Sequence, residues 1–183
     1  MGEEFDLNLV LSFWFEELSP KQWWTKDPKL DDLIKNRFLQ VHRAAAQKSL
    51  MGWRRSPVGR LAEVIVLDQF SRNMFRDTPE AFAYDILALE CAKQAVEAKE
   101  DHLLPVGRRY FLYMPYMHSE DPKAHEEAVK LFSQPGLEGG LDYELKHKAI
   151  IDRFGRYPHR NQILGRESTP EEVDFLKGPN SSF

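Results

Sequence analysis

Apolar residues recur three and four positions apart along most of this chain. Leu30, Leu33, Ile34, Phe38 and Val41 form one stripe, and Phe82, Ile86, Leu89 and Val96 form a second. Tyr143, His147, Ile150, Ile151 and Phe154 form a third. This spacing puts each set on one face of an α-helix. The helix starts are punctuated as well. Ser19, Asp27, Ser56, Thr78, Asp121 and Thr169 each stand directly before a proline. A side-chain oxygen there can accept an orphan backbone N–H, and the proline that follows has no N–H to lose. Thr169 with Glu172 completes a capping box. Gly52, Gly155 and Gly178 sit where helices should stop, and Pro179 follows the last of them.

The segment LAEVIVLDQF is ambiguous, because β-branched Val64, Ile65 and Val66 also suit a buried strand. The capped start at Ser56 and the unbroken reading to Met74 favour a central helix that is apolar nearly all round. No turn signal between alternating runs marks a hairpin. The expectation is an all-α chain of about eight helices, mostly antiparallel neighbours, with no sheet. All 183 residues fall in one domain, with frayed ends over 1–6 and 178–183. The loop from Ser133 to Gly140 reads as a plain helix connection, with a flexible lid as the alternative.

Composition narrows the partners. A net charge of -4 does not favour nucleic acid. No apolar run approaches the ~20 residues of a membrane span, and the acidic opening MGEEFD is no signal peptide. Asp6 stands where a myristoylation signal needs Ser or Thr. Cys91 is the single cysteine and reads as a small core residue. A cytoplasmic protein without a membrane partner is expected.

Polar side chains that could carry chemistry fall in three clusters. The first, DQFSRNMFR, ends the central helix, with Asp68 and Arg72 four apart, as are Gln69 and Asn73. Either a structural network or a ligand site explains it, since charges leaving a buried helix need partners. The second, RRYFLYMPYMHSED, contains Arg109, His118, Ser119 and Glu120 behind Pro115, where a helix should kink or end. His118, Glu120, Asp121, His125 and Glu126 are metal-ligand types, but their spacing matches no metal motif, so no metal is expected. The third combines His147, on an apolar face, with the guanidinium-rich loop of Arg153, Arg156, His159, Arg160 and Asn161. A satisfied core histidine is the default for His147, whereas arginine forks suit carboxylate and phosphate groups. Phosphate-binding glycine loops, GxSxG and CxxC are missing from the sequence, and no cofactor is expected. FWFEEL and Trp23–Trp24 read as core aromatics rather than a base-stacking surface.

Taken together, FWFEEL, the paired tryptophans, LDQFSRNMFR, MPYMHSED and FGRYPHRNQILGRESTPEEVDFL resemble the bacterial family known as Domain of Unknown Function 924, from Leu7 to Leu176. The resemblance implies a helical domain of the tetratricopeptide-like superfamily and implies no activity. The motif positions it carries over are Asp68, Gln69, Arg72, Asn73, His118, Ser119, Glu120, Arg156, His159, Arg160 and Asn161. The leading expectation is a binding module whose concavity takes an anionic small molecule or an acidic peptide. The alternatives are an enzyme acting on a phosphate or carboxylate compound, with His118 or His159 as acid/base, and a purely structural set of clusters.

Overall fold

Four of the six Ser, Thr and Asp residues that stand before a proline cap a helix through their side chains. Asp27, Ser56, Asp121 and Thr169 accept from Lys29, Gly59, Lys123 and Glu172 backbone N–H groups. Thr169 and Glu172 close the capping box in both directions. Ser19 and Thr78 open only short 3-10 turns, Gln22–Trp24 and Pro79–Ala81. Thr78 bonds back to the Phe75 carbonyl instead of forward into a helix.

The computed structural model describes residues 5–179 and 181–182. Eight helical stretches run through them, and no strand occurs among the described residues. They are α1 (7–17), α2 (Pro28–Ala46), α3 (57–74), α4 (Asp85–Glu97), α5 (Val106–His118), α6 (Pro122–Phe132), α7 (Glu138–Phe154) and α8 (Pro170–Leu176). The expected frayed ends at 1–4, 180 and 183 lie outside the described residues. Phe5 packs on the core and accepts from the Trp53 indole, while Asp6 caps α1.

Helix α3 sits at the centre, against α1, α2, α4 and α5. Leu61, Ala62, Val64, Ile65, Val66, Leu67 and Phe70 are all fully buried along it. That enclosure explains why the β-branched run stays helical: packing on every side outweighs a weak local preference for strand. Residues Ile65–Phe70 form a wide π-helical turn within α3. Pro115 lies inside α5, which ends three residues later at His118.

Later helices pack in sequence, α5 on α6 and α6 on α7. Gly140 permits the close approach of α7: a Cβ there would sit 2.5 Å from the Phe132 ring and 2.8 Å from Tyr110. The loop after Ser133 is a short connection, since α7 has begun by Glu138. Gly155 adopts the left-handed conformation and ends α7 as expected. Gly52 does not end α2; that helix stops at Ala46, and Lys48 takes the left-handed conformation. Beyond Gly155 the chain returns along α7, held by Ile150, Ile151 and Tyr157 with Phe154 and Phe175.

Candidate functional site

Helix α5 ends inside the protein, so its last carbonyls need donors. The returning segment supplies two of them. Tyr157 donates its hydroxyl to the Met117 carbonyl at 2.5 Å, and Arg160 Nη2 donates to the His118 carbonyl at 2.9 Å. The Ser119 carbonyl pairs with His125 Nε2 at 2.8 Å. An arginine at this end also complements the negative pole of the helix.

The π turn of α3 brings Asp68 beneath the same helix end. Asp68 is fully buried, with Oδ1 2.7 Å from His118 Nδ1 and 3.1 Å from Arg72 Nη1. Gln69 Nε2 donates to its other oxygen at 2.6 Å. Burial pushes the Asp68 carboxyl up, but the charge of Arg72 and the hydrogen bonds from His118 and Gln69 outweigh it and hold the group well below the usual carboxylate range. Burial, then the Arg72 charge, lowers the His118 pKa. Asp68 is therefore an ionised acceptor, and the neutral His118 ring carries its proton on Nδ1. Among the described residues Nε2 has no hydrogen-bond partner.

Asp85, at the start of α4, joins two arginines. It takes both Nη groups of Arg72, at 2.9 and 3.0 Å, and Arg160 Nη1 at 3.2 Å. The Arg160 guanidinium carbon lies 4.5 Å from the Phe82 ring centre and 4.6 Å from that of Tyr157. Glu120 receives both Nη groups of Arg166 and the Tyr157 backbone N–H. Arg166 also donates to Asn161, Asn161 to Glu172, and Arg156 grips Glu172 with two bonds. Arg156 and these N–H donors draw the Glu172 pKa down to about 2.

Several expected site residues thus meet although they lie far apart in the chain: Asp68, Gln69, Arg72, His118 and Arg160 form one bonded network. Glu120, Asn161 and Arg156 form a second network on the returning segment. Others lie elsewhere. Asn73 binds Asp31, together with Arg76. Arg109 donates to the Leu104 and His102 carbonyls and to Gln134. Arg153 makes an exposed pair with Glu171. His147 is a satisfied core histidine bonded to the Tyr143 carbonyl, and burial lowers its pKa to about 3. His159 is lowered to about 4 by burial and by Arg160, and among the described residues its Nδ1 has no hydrogen-bond partner.

A cleft of about 390 Å³ opens beside this network, between the start of α4, the end of α5 and the returning segment. His118, Asp85, Glu120 and Arg160 reach it, and Phe82, Ile86, Leu89 and Leu164 form its apolar wall. Ile86 is 75% exposed there, although its spacing assigned it to a core stripe. Sequence reasoning also passed over Asp85, Arg166 and the partner role of Glu172. Asp85 carried a signal, an acid in a helix first turn. Its arginine partners, Arg72 in the first cluster and Arg160 in the third, could not be located without the fold.

The family profile described as bacterial protein of unknown function (DUF924) matches residues 10–180. The chain belongs to that family. Its fold is similar to the solved structure of a protein of unknown function, ATU0120, from Agrobacterium tumefaciens. The two are 38% identical with a TM-score of 0.89, over 94% of this chain and 97% of that one. No curated protein matches. No described helix is long and apolar enough to cross a membrane.

Proposed function

We propose that this protein is a helical ligand-binding domain. Its cleft takes a small molecule with an apolar portion and a polar group that meets His118. The observation that carries this reading is the placement of the His118 ring. Nδ1 is anchored on a fully buried carboxylate, and His118 borders the cleft with its side chain 12% exposed. Burying Asp68 is costly, and tying helices together does not require its partner to border a cavity. The wall of Phe82, Ile86, Leu89 and Leu164 supplies the apolar contact expected of a small-molecule site.

The same dyad favours an enzyme as a second reading. A carboxylate that orients a neutral imidazole leaves Nε2 able to take a proton from a bound molecule. An anionic ligand would rely on Arg160, among the described residues the only cationic side chain in the wall apart from His118 when protonated.

Native mass spectrometry of gently purified protein tests the reading. A retained small molecule, lost in His118→Ala, is the expected result. Thermal melts with and without sulfate or phosphate separate the anionic version, which requires a rise in melting temperature that Arg160→Ala removes. If no added or retained small molecule interacts with the wild type, and His118→Ala changes only stability, the clusters are scaffold.

A further inference from the structure

The donor and acceptor inventory of the cleft points to a ligand class, and this step rests on the ligand-binding reading above. Among the side chains bordering the cleft, acceptors dominate. Asp85, Glu120 and Asp121 are carboxylates, against one guanidinium, that of Arg160. Asp85 and Glu120 are engaged by arginines. Asp121 accepts from Lys123 N through Oδ1 and is exposed at the rim. Ser119 Oγ already accepts from Asp121 N. His118 presents Nε2 as an acceptor, because its proton sits on Nδ1 against Asp68.

The one cation is poorly placed to receive an anion. Arg160 is 6% exposed, and its Nη atoms donate to Asp85 and to the His118 carbonyl. The Phe82 and Tyr157 rings lie against it. Among the described residues its Nε has no hydrogen-bond partner, but that atom is buried. A carboxylate in the cleft would therefore meet a bare lone pair and three carboxylates, with the Ser119 hydroxyl as a neutral donor.

We propose that the cleft selects a protonated primary amine carried on an apolar body. The ammonium donates to His118 Nε2 and to the Asp121 carboxylate, and the body lies along Phe82, Ile86, Leu89 and Leu164. An alcohol of the same shape keeps the bond to Nε2 but gains nothing from the carboxylates. A carboxylate of that shape loses both.

Phenethylamine, 2-phenylethanol and phenylacetate share a body and differ in this end group, so they make a matched test. Binding is followed by NMR through the His118 imidazole nitrogens and the Ile86 methyl groups. Phenethylamine is expected to bind at least ~10-fold more tightly than phenylacetate and to move the Nε2 resonance. Ile86→Lys places a positive charge at an exposed rim position, so the fold should tolerate it. It is expected to weaken the amine about 10-fold and to strengthen phenylacetate. His118→Gln is expected to weaken the amine without reversing the order. If phenylacetate binds more tightly than the amine, the amine class is wrong and the ligand-binding cleft survives. Amine binding that is unchanged in Ile86→Lys places the ligand elsewhere and overturns the inference. If none of the three moves the His118 or Ile86 signals, the ligand-binding reading falls with it.

Discussion

At the scale of single residues, the network separates fully buried side chains that hold the fold from His118, which borders the cleft. Asp68 is fully buried with three partners, so Asp68→Ala leaves His118 Nδ1 and Gln69 Nε2 without their carboxylate acceptor and Arg72 with Asp85 as its remaining carboxylate. Its removal should cost about 1–3 kcal/mol for each donor left unsatisfied, read by urea unfolding. His118→Ala should cost less, because His118 borders a cleft and among the described residues its Nε2 has no hydrogen-bond partner to lose. Equal losses for the two would mean that His118 serves only as a strut. The arginines show why sequence alone could not assign them. Arg72, Arg156 and Arg160 were legible as partners of something, since buried or half-buried guanidinium groups need acceptors. Whether each acceptor is a ligand or a carboxylate of the chain depends on contacts such as Asp85 and Glu172, which lie 13 to 75 positions away in the case of Asp85 and 16 in that of Glu172.

At the scale of elements, capping chemistry was the most readable signal. It placed the starts of α2, α3, α6 and α8 directly. Thr169→Ala removes one arm of the capping box that orients Glu172, and should destabilise by about 1 kcal/mol. Thr78 and Ser19 carried the same signature and failed, because a cap needs a helix behind it that can pack. The π turn of α3 had no signature at all. Such turns widen a helix where packing or function requires it and often mark sites; here the turn carries Asp68 and Gln69. Close packing of α6 and α7 depends on one missing methyl. Gly140→Ala should push Phe132 and Tyr110 aside and cost about 1–3 kcal/mol, measured by chemical unfolding. A neutral result would show that those rings move freely.

For the whole molecule, acid should unfold the protein in two stages. His42, His147 and His159 are held neutral by burial, with pKa values of about 4, 3 and 4. In the unfolded chain each would titrate near ~6.5, so it binds a proton more readily there than in the fold. Stability is therefore full above that value and falls below it. The loss is up to about 1.4 kcal/mol per pH unit for each histidine, until its folded pKa is reached. Glu172 adds a second loss as pH falls from its unfolded pKa near ~4.3 towards about 2, where its pairing with Arg156 disappears. A melting temperature that stays flat between pH 7 and pH 5 would contradict the first stage. The fold as a whole was legible because helix periodicity is local. The cleft was not, because its walls come from residues 79–89, 118–121 and 160–164. That assembly has a consequence for biosynthesis. A chain leaving the ribosome can bury α3 among its early neighbours while still lacking Arg160 and Leu164. The cleft comes into being only when the final segment emerges and folds back, so a nascent or C-terminally clipped chain keeps most of the helical core and lacks the finished cleft.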